Sequence, residues 1–263
     1  MAFFQCSIFS ESLGMTTNVN VFLPQFTSSQ IGWTEKDMGT RPALYLLHGL
    51  SEDFSVWIRH TNIERYAAQY GLVLVMPDGG KSFYADTKYD LKYEEYIAKE
   101  LPSLMAKFFR FSTAREDTFI AGNSMGGYGA LKIALKYPET FSACGAFSPV
   151  PDPMKLYSLY PDVGKVLTQV FGSIDDFRSS GNDVYLLAEK RLAEKNFPKL
   201  YLTCGKGDFL NRENRRFQQF LEEENADFVA ELDDPGDHEW DFWDRKIRQF
   251  IRFLPIRKSH VQG

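Results

Sequence analysis

The feature that most constrains the fold of this 263-residue chain is an alternation of strand-length apolar runs with helix-length amphipathic stretches. From residue 43 onward, strands are predicted over 43–47, 72–76, 118–121, 142–147, 200–204 and 228–232. Several of these runs are apolar at consecutive positions, as befits strands of a parallel sheet covered by helices on both faces. Helical patterning falls between and after them, over 56–70, 93–109, 125–136, 184–195, 212–223 and 239–253. Such alternation builds right-handed βαβ units and one doubly wound sheet. Two earlier runs, 3–9 and 17–23, flank a short turn at Leu13-Gly14 and predict an antiparallel pair, followed by a polar loop over 27–41. Residues 149–198 exceed what one crossover needs. With Pro149, Pro151, Pro153 and Pro161 ahead of short helical pieces, they predict a small cap. No repeat, low-complexity tract or linker divides the chain, so one domain over 1–263 is expected, long enough to bury about three quarters of its unfolded surface.

The stretch Thr118-Phe-Ile-Ala-Gly-Asn-Ser-Met-Gly-Gly-Tyr-Gly-Ala-Leu-Lys132 contains G-x-S-x-G as Gly122, Ser124 and Gly126. Three fixed positions alone are weak evidence, but here an apolar strand enters and an Ala/Leu/Ile helix leaves. A sharp strand-to-helix turn forces its serine into a strained backbone and brings neighbouring chain close, which only small residues two positions to either side permit. It also sets the serine oxygen at a helix N-terminus, where free N–H groups favour developing negative charge. Two antiparallel strands, six parallel ones and this elbow match the α/β-hydrolase fold: an eight-stranded, mostly parallel sheet with helices on both faces.

A serine nucleophile needs a base, and the base needs an orienting acid. In this fold they follow in the order Ser, acid, His, after later strands. Of the four histidines, His48 and His60 precede Ser124 and His260 lies in the tail, which leaves His238 in the loop before the last helix. The strand over 200–204 is followed by Gly205-Lys-Gly-Asp208, a glycine-flexed loop presenting one carboxylate, so Asp208 is the expected acid. Asp233, Asp234 and Asp237 share the histidine's loop and read as turn formers, and Asp183 would need another topology. Oxyanion donors are expected from the Met125 N–H and, after the first parallel strand, from the Leu50 N–H, with His48 structural. Trp57, Phe83, Tyr84 and Phe209, with Phe147 and Tyr157, are candidates for the substrate pocket.

Composition excludes several alternatives. Net charge is −5, and clusters such as Arg212/Arg215/Arg216 are interleaved with Glu213 and Glu222, so no basic stripe marks a nucleic-acid partner. No apolar run approaches the ~20 residues of a membrane span, and the first residues lack a signal-peptide pattern. The three cysteines, Cys6, Cys144 and Cys204, suggest neither a disulfide framework nor a zinc site. A cytoplasmic location is expected by default. Gly80-Lys81-Ser82 is no phosphate loop, because Val75 stands where the first glycine belongs. No metal is expected, since His238 has no second histidine nearby in sequence.

The chain resembles the esterase D-like branch of the α/β hydrolases, especially bacterial tributyrin esterases; the branch also holds S-formylglutathione hydrolases, feruloyl esterases and mycolyltransferases. The resemblance rests on His48-Gly49-Leu50 with Trp57 nine residues past the histidine, Met76-Pro-Asp-Gly-Gly80, the run 115–130, Gly207-Asp208-Phe209-Leu210 and Gly236-Asp-His-Glu-Trp240. It implies Ser124, Asp208 and His238 as triad, Leu50 and Met125 as oxyanion donors, short-chain acyl esters as small-molecule substrates, and no cofactor. Relatives often carry glycine where Glu52 stands beside Asp53; carboxylates at the mouth disfavour anionic substrates, glutathione thioesters among them. Tributyrin-like, aryl and acetylated carbohydrate esters are thus expected. A thioesterase or acyltransferase with the same triad, a non-catalytic binding protein and a homo-oligomer stay open.

Overall fold

The computed structural model describes residues 1–25 and 41–256. The polar loop expected over 27–41 lies, Arg41 apart, outside the described residues, as does His260. Eight strands are present: β1 (Ala2–Ser10), β2 (Met15–Leu23), β3 (Ala43–Leu47), β4 (Val73–Pro77), β5 (Thr118–Asn123), β6 (Ala143–Phe147), β7 (Lys199–Thr203) and β8 (Phe228–Glu231). They form one open sheet in the order β1-β2-β4-β3-β5-β6-β7-β8. The strands from β3 to β8 run parallel, whereas β2 is antiparallel to both β1 and β4.

Burial follows position in that order. Every residue of β3, β4, β5 and β6 is buried, while β1 and β8 at the two edges are partly exposed. Because successive side chains leave a strand on opposite faces, one apolar run feeds two cores. Tyr45 and Leu47 join Tyr128 and Leu131 of the helix Met125–Lys136 on one side. Leu44 and Leu46 join Trp57, Trp243 and Phe250 on the other. Each large side chain so buried stabilises the fold by about 1.5–3 kcal/mol.

Two expected helices depart from regularity for identifiable reasons. The helix expected over 56–70 is two, Val56–His60 and Ile63–Ala68, with Thr61 extended between them. The Thr61 hydroxyl donates to the Trp57 carbonyl and accepts from the Ile63 N–H, giving backbone groups at the break a partner. The helix expected over 93–109 runs as Tyr93–Glu95, a π turn at Tyr96–Glu100, and Leu101–Phe109. Pro102 lies inside that run, where its ring meets the carbonyl four residues back; the wide turn opens the backbone there.

Between β6 and β7 the chain forms the short helical segments Pro153–Lys155, Leu156–Leu159, Pro161–Phe171 and Ile174–Ser179, then Val184–Ala193. The last of these buries Val184 and Ala188 in the same core as the helix Met125–Lys136. It is therefore an ordinary crossover helix, and the pieces before it are the additional structure. The carboxyl ends of β5 and β7, and the loop beyond β8, converge at one edge of the sheet, where an open α/β sheet binds its ligands.

Candidate active site

β5 delivers the chain to this edge fully buried, and Ser124 follows at φ 54°, ψ −118°. A non-glycine residue in that region costs about 1–3 kcal/mol unless its surroundings hold it. Here the Ser124 N–H donates to the Phe147 carbonyl at 2.9 Å, while the Ser124 carbonyl accepts from the Tyr128 N–H at 3.0 Å. The glycines around it are required by contact: a Cβ on Gly122 would run into the Gly126 carbonyl, and one on Gly126 into the Leu47 carbonyl. Met125 is the first residue of the next helix, so its N–H has no partner within that helix.

Three residues far apart in sequence meet here. His238 Nε2 lies 3.0 Å from Ser124 Oγ, and His238 Nδ1 lies 2.9 Å from Asp208 Oδ2. The imidazole sits between Phe209, at 4.8 Å between ring centres, and the edge-on indole of Trp243 at 4.9 Å. The Asp208 side chain is wholly buried. Burial alone raises a carboxyl group's pKa, but the hydrogen bond and charge of His238, the Leu210 N–H and the Ser148 hydroxyl outweigh it and hold Asp208 below the usual carboxylate range. The loops bearing the acid and the histidine are zipped together: the Gly207 N–H donates to the Gly236 carbonyl at 3.0 Å, and the Asn211 amide donates to the Gly205 and Leu232 carbonyls, both at 2.9 Å.

Three of the other candidate acids are engaged elsewhere. Asp233 pairs with Arg215, Asp234 with Lys246, and Asp183 caps the helix Val184–Ala193 through the Tyr185 N–H. His60 stacks on Trp240. The His48 ring is buried in the loop after β3, where its Nε2 accepts from the Gly79 N–H at 2.8 Å. Its proton therefore sits on Nδ1, which donates to the Gly49 carbonyl at 2.8 Å.

A cavity of about 120 Å³ opens beside the serine, lined by Leu50, Phe83, Ser124, Met125, Val150, Leu156, Tyr160, Val163, Phe209 and Leu210. Leu50 and Met125, the expected oxyanion donors, thus line the same cavity as Ser124. Of the four pocket candidates, Phe83 and Phe209 line this cavity; Trp57 and Tyr84 lie outside its lining, as do Phe147 and Tyr157. Trp57 is buried and donates its indole N–H to the Leu47 carbonyl at 3.1 Å; Tyr84 is buried and donates its hydroxyl to the His48 carbonyl at 2.9 Å. Both brace the loop that carries Leu50.

Several supports have no sequence signature. Lys132, wholly buried, donates to Glu94 at 2.8 Å, to the Tyr84 carbonyl at 2.7 Å and to Asn182 at 3.1 Å. That ammonium holds a segment in which Phe83 and Tyr84 both have positive φ, 49° and 53°. Ser148, at φ 44°, accepts from the Trp243 indole at 3.1 Å and reaches Asp208. Glu52, which reads as a free charge at the mouth, instead accepts from the Gly49 N–H at 2.7 Å, Asn123 at 3.1 Å and the Trp240 indole at 2.8 Å. Among the described residues no group of three or more His, Cys, Asp or Glu side chains is arranged to hold a metal ion. No described helix is long and apolar enough to cross a membrane.

An open, mostly parallel eight-stranded sheet with a strained serine on a strand-to-helix turn defines an α/β hydrolase. Residues 10–254 match the profile of the Esterase family, described as "Putative esterase", and the chain belongs to that family. It is a carboxylic ester hydrolase. The chain is 33% identical to an acetyl esterase of Caldicellulosiruptor saccharolyticus over 97% of its own length and 98% of the relative's. Among solved structures it is similar to FphF, a fluorophosphonate-binding serine hydrolase of Staphylococcus aureus, with 36% identity and a TM-score of 0.85 over 96% of this chain and 98% of that one. An S-formylglutathione hydrolase from Staphylococcus aureus gives 35% identity and a TM-score of 0.83 over the same shares, 96% and 98%. The Mycobacterium tuberculosis protein MPT51, 18% identical, shares the fold at a TM-score of 0.77 over 98% of this chain and 100% of that one.

Proposed function

We propose that the chain is a serine carboxylesterase for short-chain acyl esters, working through an acyl-enzyme on Ser124. The single observation that carries this reading is the unbroken relay Ser124 Oγ, His238, Asp208, with contacts of 3.0 and 2.9 Å. His238 Nε2 takes the serine proton as Oγ attacks the ester carbonyl. The Leu50 and Met125 N–H groups hold the oxyanion, and the imidazolium then protonates the departing alcohol. Water, activated by the same nitrogen, attacks the acyl-enzyme and releases the acid. Asp208 keeps the Nδ1–H tautomer and stabilises the imidazolium.

The pocket supports the preference for short acyl groups. An apolar cavity of ~150 Å³ holds a benzene-sized guest; 120 Å³ corresponds to a chain of roughly four or five non-hydrogen atoms. Four of its walls, Val150, Leu156, Tyr160 and Val163, come from the segment after β6. This supports reading the part of 149–198 that precedes the crossover helix Val184–Ala193 as a small cap within one hydrolase domain. The acetyl esterase relative agrees with the preference. Similarity to an S-formylglutathione hydrolase gives a thioester reading some support, and the relay would serve both.

The test is pre-steady-state hydrolysis of p-nitrophenyl esters. A burst of p-nitrophenolate equal to the enzyme present is expected with the acetate, absent in Ser124→Ala, with kcat/KM falling beyond butyrate. Folded wild-type protein that turns over no acetate-to-butyrate ester would remove the proposal. Faster turnover of S-formylglutathione than of any oxygen ester would transfer it to thioesters.

A further inference from the structure

We propose that Glu52 is a positioning residue that sets the aim of the Leu50 N–H and locks the loop 48–50 to the loop carrying His238. The inference rests on the reading of Ser124 as an acyl-transfer nucleophile. Two consecutive peptide groups flank Gly49 and present four polar groups, three of them held by named partners. The His48 carbonyl accepts from the Tyr84 hydroxyl at 2.9 Å. The Gly49 N–H donates to Glu52 Oε2 at 2.7 Å. The Gly49 carbonyl accepts from His48 Nδ1 at 2.8 Å and from the Glu52 N–H at 3.3 Å. The fourth group is the Leu50 N–H. In a trans peptide the C=O and N–H point in opposite directions. Holding the Gly49 oxygen on the His48 and Glu52 side therefore fixes the Leu50 N–H on the opposite side of that peptide, and Leu50 itself lines the cavity beside Ser124.

Glu52 makes two of these bonds, one through its side chain and one through its backbone. Its carboxylate also reaches the two other segments that build the site. Oε2 accepts from Asn123, the residue before Ser124, at 3.1 Å, and Oε1 accepts from the indole N–H of Trp240, two residues after His238, at 2.8 Å. Three N–H donors from three segments thus converge on one half-buried group. A carboxylate is all acceptor and satisfies all three, whereas a glutamine must turn its NH₂ toward one of them. Bonds to a charged acceptor are also roughly twice as strong as neutral ones. The charge that reads in sequence as facing substrate is spent on holding the oxyanion loop.

The test compares wild type, Glu52→Ala, Glu52→Gln and Glu52→Gln/Trp240→Phe by two readouts: turnover of p-nitrophenyl acetate per titrated Ser124, and the rate of Ser124 phosphorylation by diethyl p-nitrophenyl phosphate. Removing an oxyanion donor outright costs about 10²–10³ in kcat, so a donor left in place but loosely aimed should cost about 10- to 100-fold. Glu52→Ala is expected to lower kcat by that factor with KM within about threefold, and to slow phosphorylation in proportion. Glu52→Gln keeps an oxygen for Gly49 and should lose only about three- to tenfold; Trp240→Phe on that background should restore part of it by removing the opposed donor. Should Glu52→Ala not fold, the glutamine pair carries the test. Wild-type turnover with unchanged kcat and phosphorylation rate in the Glu52 variants, or a loss confined to Tm, overturns the inference and leaves the esterase reading standing. A wild type that is phosphorylated but hydrolyses no ester, with phosphorylation slowed in Glu52→Ala, supports the inference and removes the esterase reading. A wild type that does neither removes both.

Discussion

Replacing Asp208 by asparagine isolates what the buried acid contributes, because the site dictates how the amide must sit. Asp208 Oδ1 accepts from the Leu210 N–H at 2.9 Å, and Oδ2 faces His238 Nδ1 at 2.9 Å. An asparagine has a single oxygen, and leaving it on the Leu210 N–H turns the NH₂ toward the imidazole. Nδ1 must then accept, the ring proton moves to Nε2, and Nε2 points a hydrogen at Ser124 Oγ 3.0 Å away instead of a lone pair. The base is lost although every heavy atom stays in place. An imidazole locked in the wrong tautomer lowers kcat by about 10⁴ in a Ser-His-Asp relay, which at 1.36 kcal/mol per tenfold is about 5 kcal/mol of transition-state stabilisation. The assay is single-turnover acylation by p-nitrophenyl acetate at neutral pH, with a thermal melt and a crystal structure of the variant as controls. A folded Asp208→Asn enzyme within tenfold of wild type would refute the reasoning, since the serine would then have a base that does not depend on the acid.

Other consequences follow from the same contacts. Glu94→Gln leaves the Lys132 ammonium buried without its countercharge, so it should cost about 3–5 kcal/mol in urea unfolding. Lys132→Met should cost less, because Glu94 keeps Lys136 at 2.7 Å and the Tyr137 hydroxyl at 2.9 Å. Burial raises the Glu94 carboxyl but Lys132 and Lys136 outweigh it, and its pKa is lowered to about 2. A depressed carboxylate stabilises the fold above its unfolded pKa, near 4.5, and that contribution should fade as pH drops from about 4.5 toward 2. Urea midpoints of wild type should therefore fall across this window more steeply than those of Glu94→Gln. At the pocket, Leu156→Ala should shift the best p-nitrophenyl ester toward longer acyl chains, measured as kcat/KM from acetate to octanoate. An unchanged profile would place the acyl group elsewhere. Gly126→Ala forces a methyl group into the Leu47 carbonyl, and should abolish the burst or prevent folding.

Short-range features of the fold were legible because their causes are local. Apolar runs buried on both faces became β3 to β7, and the small residues at 122 and 126 marked a turn no larger side chain could enter. The order Ser124, Asp208, His238 could be read because each sits in a loop just after a predicted strand, and the structure brings the three together. The break at Thr61 and the π turn before Pro102 were less legible, since a hydrophobic period continues across both.

What only the tertiary structure decided are the contacts between segments far apart in sequence. Lys132 and Glu94 have no sequence signature and form a buried pair 38 positions apart. Tyr84 and Trp57 read as candidate pocket walls but stand behind the loop that carries Leu50, because an aromatic beside a site can face the ligand or the backbone that shapes it. Glu52 shows the difference most clearly. Sequence alone makes it a charge at the mouth of the cleft; its character as a three-way acceptor exists only once Gly49, Asn123 and Trp240 have been folded around it. Periodicity and turn chemistry act within a few residues and so can be read in order along the chain, whereas the partner of a buried polar group is chosen by packing of the whole sheet.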